Sequence, residues 1–239
     1  MIPGKFLSIA THNVFWFQGL PSRENANKIS REKILEKFVE TYKLLKADIL
    51  CFQEVKSPDS VRYFTEKLSM DGIYMEGVQY KQYGGAILYN KRLNIIRYQV
   101  LKTMTRFSQI AIFNFEGLKI SICNLHLPSG VYIRNASQKR IEEISYVLAH
   151  NSPQIILGDF NAQPGEKIYD YMLTKGYIDV AALLGKTENT TVNGKRIDYI
   201  WVTKELKDDI ASCEVYKNII YGKTFLSDHY PVKVTIRLG

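Results

Sequence analysis

The chain has 239 residues, 46% of them hydrophobic and 23% charged, and its 32 Lys and Arg outweigh 24 Asp and Glu for a net charge of +8. This composition fits a soluble globular protein with a full core, and no apolar run approaches the ~20 residues that span a bilayer. Cys51, Cys123 and Cys213 are widely spaced with no CxxC pair, which argues against both a zinc cluster and a disulfide framework and places the chain in a reducing, intracellular compartment.

The N-terminal stretch "MIPGKFLSIATHNVFWF" has no basic leader and no small-residue cleavage site, so it reads as a first strand at residues 6–11 and not as a signal peptide. Residues 30–46 carry Ile34, Leu35, Phe38, Tyr42 and Leu45 at helical spacing behind Ser30, a plausible N-cap. A buried strand follows at 48–54, then a helix over 57–70 with Ser57 or Asp59 as cap. Strands are predicted at 85–90, 95–101 and 110–115, and Glu116-Gly117 marks a hairpin into 118–127. Ile141, Ile144, Val147 and Leu148 mark a helix, the run "QIILGD" a strand, and residues 169–173 a short helix. Strands at 196–203, 213–217 and 229–238 close the chain. The alternation predicts one α/β domain over 1–239, with two mixed sheets packed face to face and helices outside them.

Six polar groups punctuate these strands: "THN" ending at Asn13, "FQE" ending at Glu54, "NLHLPSG" with Asn124 and His126, "GDFN" with Asp159 and Asn161, "RIDYIW" with Asp198, and "SDH" with Asp228 and His229. Each alone has an ordinary reading. Asn13 suits a turn, His126 a satisfied core position, Asp198 a pair with Arg196, and Asp159 with Asn161 an Asx-turn. Together they put four carboxylates and two imidazoles at or within apolar strands, where ionisable groups are costly unless paired, metal-bound or set in a polar cleft. That inventory suits phosphate-ester hydrolysis: oxygen ligands for a hard divalent cation, a base for water, and donors for charge developing on phosphorus. His12 and His150 fall outside the set and are expected to be structural.

In this order and spacing, "N…QE…NLHL…GDFN…RIDYI…SDH" resembles the endonuclease/exonuclease/phosphatase superfamily of metal-dependent phosphoesterases, from Asn13 to His229. The resemblance implies a four-layered α/β sandwich with the site in a cleft at one edge of the sheets. It implies that Glu54 ligates Mg²⁺ or Mn²⁺ with Asp228 beside the ion, and that Asn13 helps hold metal-site waters and the phosphate. It further implies that Asp159 deprotonates the attacking water while Asn161 holds phosphate and water. His229 would contact a phosphate oxygen with Asp198 fixing its tautomer, and His126 would stabilise the pentacovalent transition state.

Within that superfamily, His126 stands where abasic-site endonucleases usually carry Tyr, and the inositol-phosphatase signatures are absent. "NLHL" and "GDFN" look nearer to the deadenylase-like and tyrosyl-DNA phosphodiesterase-like branches. The net charge suits a nucleic-acid substrate, with Arg134 and Arg140 as candidate phosphate contacts and Phe15, Trp16 and Phe17 either base-stacking or packed in the core. The expected function is therefore a Mg²⁺-dependent nuclease or nucleic-acid phosphodiesterase with no membrane or obligate protein partner. A phosphomonoesterase on a small metabolite or lipid head group is the alternative, and a dead binding module is disfavoured by the intact residue set.

Overall fold

The computed structural model describes residues 5–20, 30–102, 104–131 and 133–238, so residues 1–4 of the N-terminal stretch lie outside it. The elements run β1 (Lys5–Asn13), α1 (Arg31–Leu45), β2 (Ile49–Val55), α2 (Pro58–Leu68), β3 (Met70–Met75), β4 (Gly84–Asn90), β5 (Asn94–Val100), β6 (Phe107–Phe115) and β7 (Leu118–His126). The second half contributes α3 (Ala136–His150), β8 (Ile155–Asp159), α4 (Lys167–Thr174), β9 (Ile178–Asp179), α5 (Val180–Leu183), β10 (Asp198–Val202), β11 (Ile210–Val215), β12 (Ile220–Tyr221), β13 (Thr224–Phe225) and β14 (Val232–Leu238).

Two six-stranded mixed sheets form, in the orders β11-β14-β1-β2-β4-β3 and β5-β6-β7-β8-β10-β9. Leu7, Ile9, Ile49, Cys51 and Ile87 of the first sheet meet Phe113, Ile122, Leu157 and Ile200 of the second in one buried cluster. The opposite face of the first sheet is covered by α1 and α2 through Phe38, Tyr42, Phe52 and Phe64. The opposite face of the second is covered by α3 and α4 through Ile144, Val147, Met172 and Trp201. Four layers result, and burying each of these large apolar side chains is worth roughly 1.5–3 kcal/mol. The hydroxyl of Ser30 accepts from Lys33 N at 3.4 Å and so caps α1 as predicted. All three cysteines are free and buried. Among the described residues no helix is long and apolar enough to cross a membrane.

The sandwich is tied near one end by amides. Asn124 Nδ2 donates to Phe52 O and Ala86 O across the interior, each at 3.1 Å, while Gln53 Nε2 donates to Asn124 Oδ1 at 2.8 Å. These bonds fix the strand ends of the two sheets against each other, and that edge carries the motif residues.

Some elements depart from expectation. The strand predicted at 229–238 begins only at Val232, because Pro231 interrupts it and leaves Asp228 and His229 in the preceding loop. Strand β3 was not predicted, since Asp71 and Gly72 break its apolar pattern. Gly72 serves packing there: a Cβ would lie 2.7 Å from Thr65 Cγ2 of α2.

Gly158 occupies φ +135°, and a Cβ there would stand 1.9 Å from Leu125 O on the paired strand β7. Only glycine fits without moving the residue that follows, Asp159. Gly158→Ala is expected to destabilise the protein by more than ~2 kcal/mol, read as a fall in the thermal unfolding midpoint; an unchanged midpoint would show that the strands can part at no cost.

Candidate active site

In the second sheet, His126, Asp159 and Asp198 are consecutive partners in register across β7, β8 and β10. In the first sheet, Asn13 pairs with Gln53, and the ladder slips between Gln53 and Val55 so that Glu54 sits in a bulge at φ +59°. A bulge re-aims one side chain out of a strand's alternation, and a positive φ at a non-glycine residue is the kind of local strain that gathers at functional sites. Asn161 also takes a positive φ of +50°, which Asn tolerates better than most residues.

Asp159 is the hub. It accepts from Asn13 Nδ2 at 3.1 Å and from Asn161 N at 2.8 Å, and its Oδ2 lies 3.1 Å from His126 Nε2 and 3.9 Å from His229 Nε2. Burial alone would push its carboxyl up, but His126, His229 and Arg106 together hold it well below the usual carboxylate range. His229 Nδ1 donates to Asp198 Oδ2 at 2.9 Å, and Thr190 Oγ1 donates to the same oxygen at 2.7 Å. Burial opposes charge on His229, yet Asp198 and then Asp159 raise its pKa well above the ordinary imidazole value and keep it cationic. Arg196, the alternative partner for Asp198, instead donates to both carboxylate oxygens of Asp179.

His126 behaves oppositely. Sealed from water and pressed by the Arg106 guanidinium, it is pulled down to about 4 and is neutral near pH 7. Its Nε2 lies 3.1 Å from Asp159 Oδ2 and 3.1 Å from Asn161 Nδ2 and also meets Arg106 Nη1, which stands 3.1 Å from Nδ1 as well. Neutral His126 brings no charge to Asp159, so the positive charge near that carboxylate comes from His229 and Arg106.

Arg106 is a site residue that the sequence motifs do not mark. Its guanidinium stacks 4.3 Å from the Tyr83 ring centroid, lies against His126 and comes within 3.7 Å of Glu54 Oε1. Glu143 on α3 accepts from Thr105 N at 2.7 Å, and Val78 N donates to Arg106 O at 2.6 Å, so the backbone around Arg106 is clamped from two sides. The one available signal was its place directly before an apolar strand whose first residue, Phe107, pairs with His126.

The remaining residues fall as follows. Ser227 Oγ donates to Asn13 O at 2.7 Å and accepts from His229 N at 3.1 Å, so it staples "SDH" to the end of β1. Asp228 is half-buried beside His229. His12 is structural as expected: buried, with Nε2–H on His229 O at 3.0 Å and Nδ1 on the Tyr42 hydroxyl at 2.9 Å. Arg134 is exposed, in the loop that follows β7. Arg140 does not face the site. It is buried, donates to Pro128 O at 2.9 Å and pairs with Glu166 at 3.0 Å, so its guanidinium is engaged in anchoring the loop after β7.

Glu54 is a buried carboxylate pushed up to about 7, chiefly by burial, with Arg106 as its nearest cation. An oxygen donor so placed, with Asp228 on the neighbouring loop, suits a hard divalent cation. The Asn13 oxygen accepts from Phe15 N at 3.1 Å and its Nδ2 faces Asp159, which leaves one lone pair of that oxygen for a cation or its water. Asp159, Asp198 and His229 also present ligand atoms within 4.8 Å of one another. A cation bound to His229 there would take the place of a proton on a ring that Asp198 and Asp159 hold in its charged form, whereas Glu54 and Asp228 offer oxygens alone.

The Endonuclease/Exonuclease/phosphatase family model matches residues 10–229, and the chain belongs to that family. No curated protein matches the sequence. Among solved structures, TDP2 from D. rerio in complex with a single-strand DNA product aligns with a TM-score of 0.76 at 21% identity, covering 98% of this chain and 100% of that one. The human Nocturnin catalytic domain with a bound sulfate anion aligns at 0.74 and 18% identity, covering 98% and 96%. A mannosyl-6-phosphatase from Bacteroides thetaiotaomicron VPI-5482 aligns at 0.73 and 18% identity, covering 95% and 98%. These likenesses establish the shared fold.

Since folding raises the His229 pKa above its ordinary 6.5, the Asp198 pair contributes its full stability below that value and loses it as pH climbs through the raised one. In Asp198→Asn the His229 ring should titrate at or below the ordinary value in an NMR pH series, while the wild-type ring stays protonated at pH 7.5. A wild-type ring already neutral at that pH would refute the ion pair.

Proposed function

We propose that this chain, a phosphoric ester hydrolase of the Endonuclease/Exonuclease/phosphatase family, is a divalent-cation-dependent phosphodiesterase that hydrolyses nucleic-acid strands by direct in-line attack of water. The observation that supports it best is Asp159: a buried carboxylate kept ionised by donors on both oxygens, at a strand end, with a second carboxylate, Glu54, within electrostatic reach. A buried anion so prepared is always in the form that accepts a hydrogen bond from water and orients it, and the proton passes to it as the water oxygen bonds to phosphorus and turns acidic.

Mg²⁺, with Mn²⁺ as a substitute, fits the oxygen donors of Glu54 and Asp228, and when bound supplies positive charge at the phosphate and at the leaving oxygen. The protein's own groups do the rest. Asp159 orients the attacking water and accepts its proton. Asn161, whose Nδ2 is held by Leu127 O at 3.1 Å, steadies the water and a phosphate oxygen. His229, cationic through Asp198, donates to a phosphate oxygen and meets the charge that grows there. Arg106 adds a second fixed cation beside neutral His126. All of these donors are preset by hydrogen bonds, so little reorganisation accompanies the reaction.

The net charge of +8 and the likeness to a TDP2 structure holding a single-strand DNA product favour a nucleic-acid diester, including one carrying a 5′-end adduct such as a tyrosyl group. The likeness to a mannosyl-6-phosphatase supports a second reading, a phosphomonoesterase on a small phosphorylated metabolite. Three buried free thiols accord with a reducing intracellular setting.

Activity on a generic diester, bis(4-nitrophenyl) phosphate, should vanish in EDTA and return with Mg²⁺. Asp159→Asn should lower kcat by roughly 10²–10⁴-fold with the fold intact, the range for losing a general base. A near-normal rate in that variant would remove Asp159 from the base role. Glu54→Gln should raise the Mg²⁺ concentration needed for half-activity; an unchanged requirement would place the cation elsewhere.

A further inference from the structure

Three hollows adjoin one another beside Arg106 of the site. The first, of about 280 Å³, is walled by Trp16, Lys56, Gln82 and Tyr83. The second, of about 300 Å³, shares Gln82 and Tyr83 with the first and is floored by Arg106. The third, of about 430 Å³, shares Tyr80 and Ile133 with the second and runs out past Arg134 and Lys139. The hollows are therefore neighbours, and Arg106, which touches His126, lines the middle one.

The lining of these hollows is partly aromatic. Trp16 lies 5.5 Å from Tyr83, and Tyr83 lies 6.2 Å from Tyr80, centroid to centroid. Trp16 is held there by construction. Phe15, Trp16 and Phe17 all take left-handed φ values of 46–54°, directly after Asn13, and Trp16 Nε1 donates to Gln82 O at 2.8 Å. Three successive left-handed non-glycine residues are costly. Phe17 repays this by packing in the core, whereas Trp16 remains half-exposed in the first hollow. Cations line both outer hollows, Lys56 in one and Arg134 with Lys139 in the other, where Lys139 pairs with Glu142 at 3.3 Å and would exchange that partner for a phosphate.

We infer that these hollows form a track for a single nucleic-acid strand that runs through the active site, with Trp16 and its aromatic neighbours stacking bases and Lys56 and Lys139 contacting phosphates on opposite sides of the bond to be cut. The inference rests on the phosphodiesterase reading above and adds the geometry of the substrate. Flat rings with flanking cations suit a polyanion whose bases are unpaired. Binding features on both sides of Arg106 suit a bond inside a strand, whereas a site for a chain end or a small monoester needs them on one side only.

The sequence offers a probe, because it has only two tryptophans and the other, Trp201, is fully buried. Titration with 12-nucleotide single strands of DNA and of RNA, in EDTA, should quench tryptophan fluorescence. Trp16→Leu should lose the quench and bind roughly tenfold more weakly, the scale of one lost stacking contact. Lys56→Glu and Lys139→Glu, both surface changes, should each raise Kd and flatten its salt dependence. In Mg²⁺ the wild-type protein should cut closed circular single strands, which have no ends; the preferred sugar is whichever circle, DNA or RNA, is cut faster. Absence of quenching, a normal Kd in either lysine variant, or cleavage of linear strands alone would overturn the track. Hydrolysis of bis(4-nitrophenyl) phosphate by the same preparation separates the cases: retained hydrolysis with a failed strand test sinks the track only, and no hydrolysis sinks the phosphodiesterase reading.

Discussion

Three adjacent strands of the second sheet end at one level, and the rest of the site depends on that register. His126 faces Asp159 across the parallel pair β7–β8, and Asp159 faces Asp198 across the antiparallel pair β8–β10. A slip of one residue on β8 would turn Asp159 to the opposite face of the sheet. Gly158 allows the close approach of β8 to Leu125, and the Asn124 amide locks the end of β7 to the first sheet. The first sheet answers with Asn13 and with Glu54, thrown out of alternation by a bulge. Chemistry is thus mounted on backbone ladders, with two short loops supplying Asn161 and the Asp228–His229 pair.

The electrostatics follow from burial. Asp159, Asp198, His126 and His229 are almost wholly withdrawn from water, so each charge state is set by neighbours. The two imidazoles end in opposite states for a visible reason: His229 has a carboxylate on its Nδ1, and His126 has a guanidinium. One site therefore holds a cationic imidazole and a neutral one, both within reach of the same carboxylate. Glu54 has weaker compensation, with Arg106 at 3.7 Å, and that imbalance is what a divalent cation would relieve.

Much of this was legible in the sequence because apolar runs and their polar ends are local signals. Strand, cap and helix positions around Ser30, Ile49 and Ile155 follow from periodicity, and the six motif groups fall where those runs stop. What could not be read there depends on three-dimensional placement. Arg106 looks like any Arg before a strand until pairing sets it beside His126. Arg140 looks like a free cation in a basic stretch, yet the fold buries it against Pro128 and Glu166. The left-handed turn after Asn13, which brings Phe15 N onto its side-chain oxygen, is likewise invisible in the sequence. The same turn decides between two readings of "FWF": Phe17 goes to the core and Trp16 to the hollow beside Tyr83.

Direct attack of water, prepared by Asp159, is the central claim, and its steric course is the most direct measure of it. Hydrolysis of a diester strand with one chiral phosphorothioate, in Mg²⁺ and heavy-oxygen water so that the product phosphorus stays chiral, should proceed with inversion, because a single in-line displacement inverts the centre once. Retention would demand two displacements through a covalent enzyme intermediate and would contradict the account, as would failure to hydrolyse any diester at all.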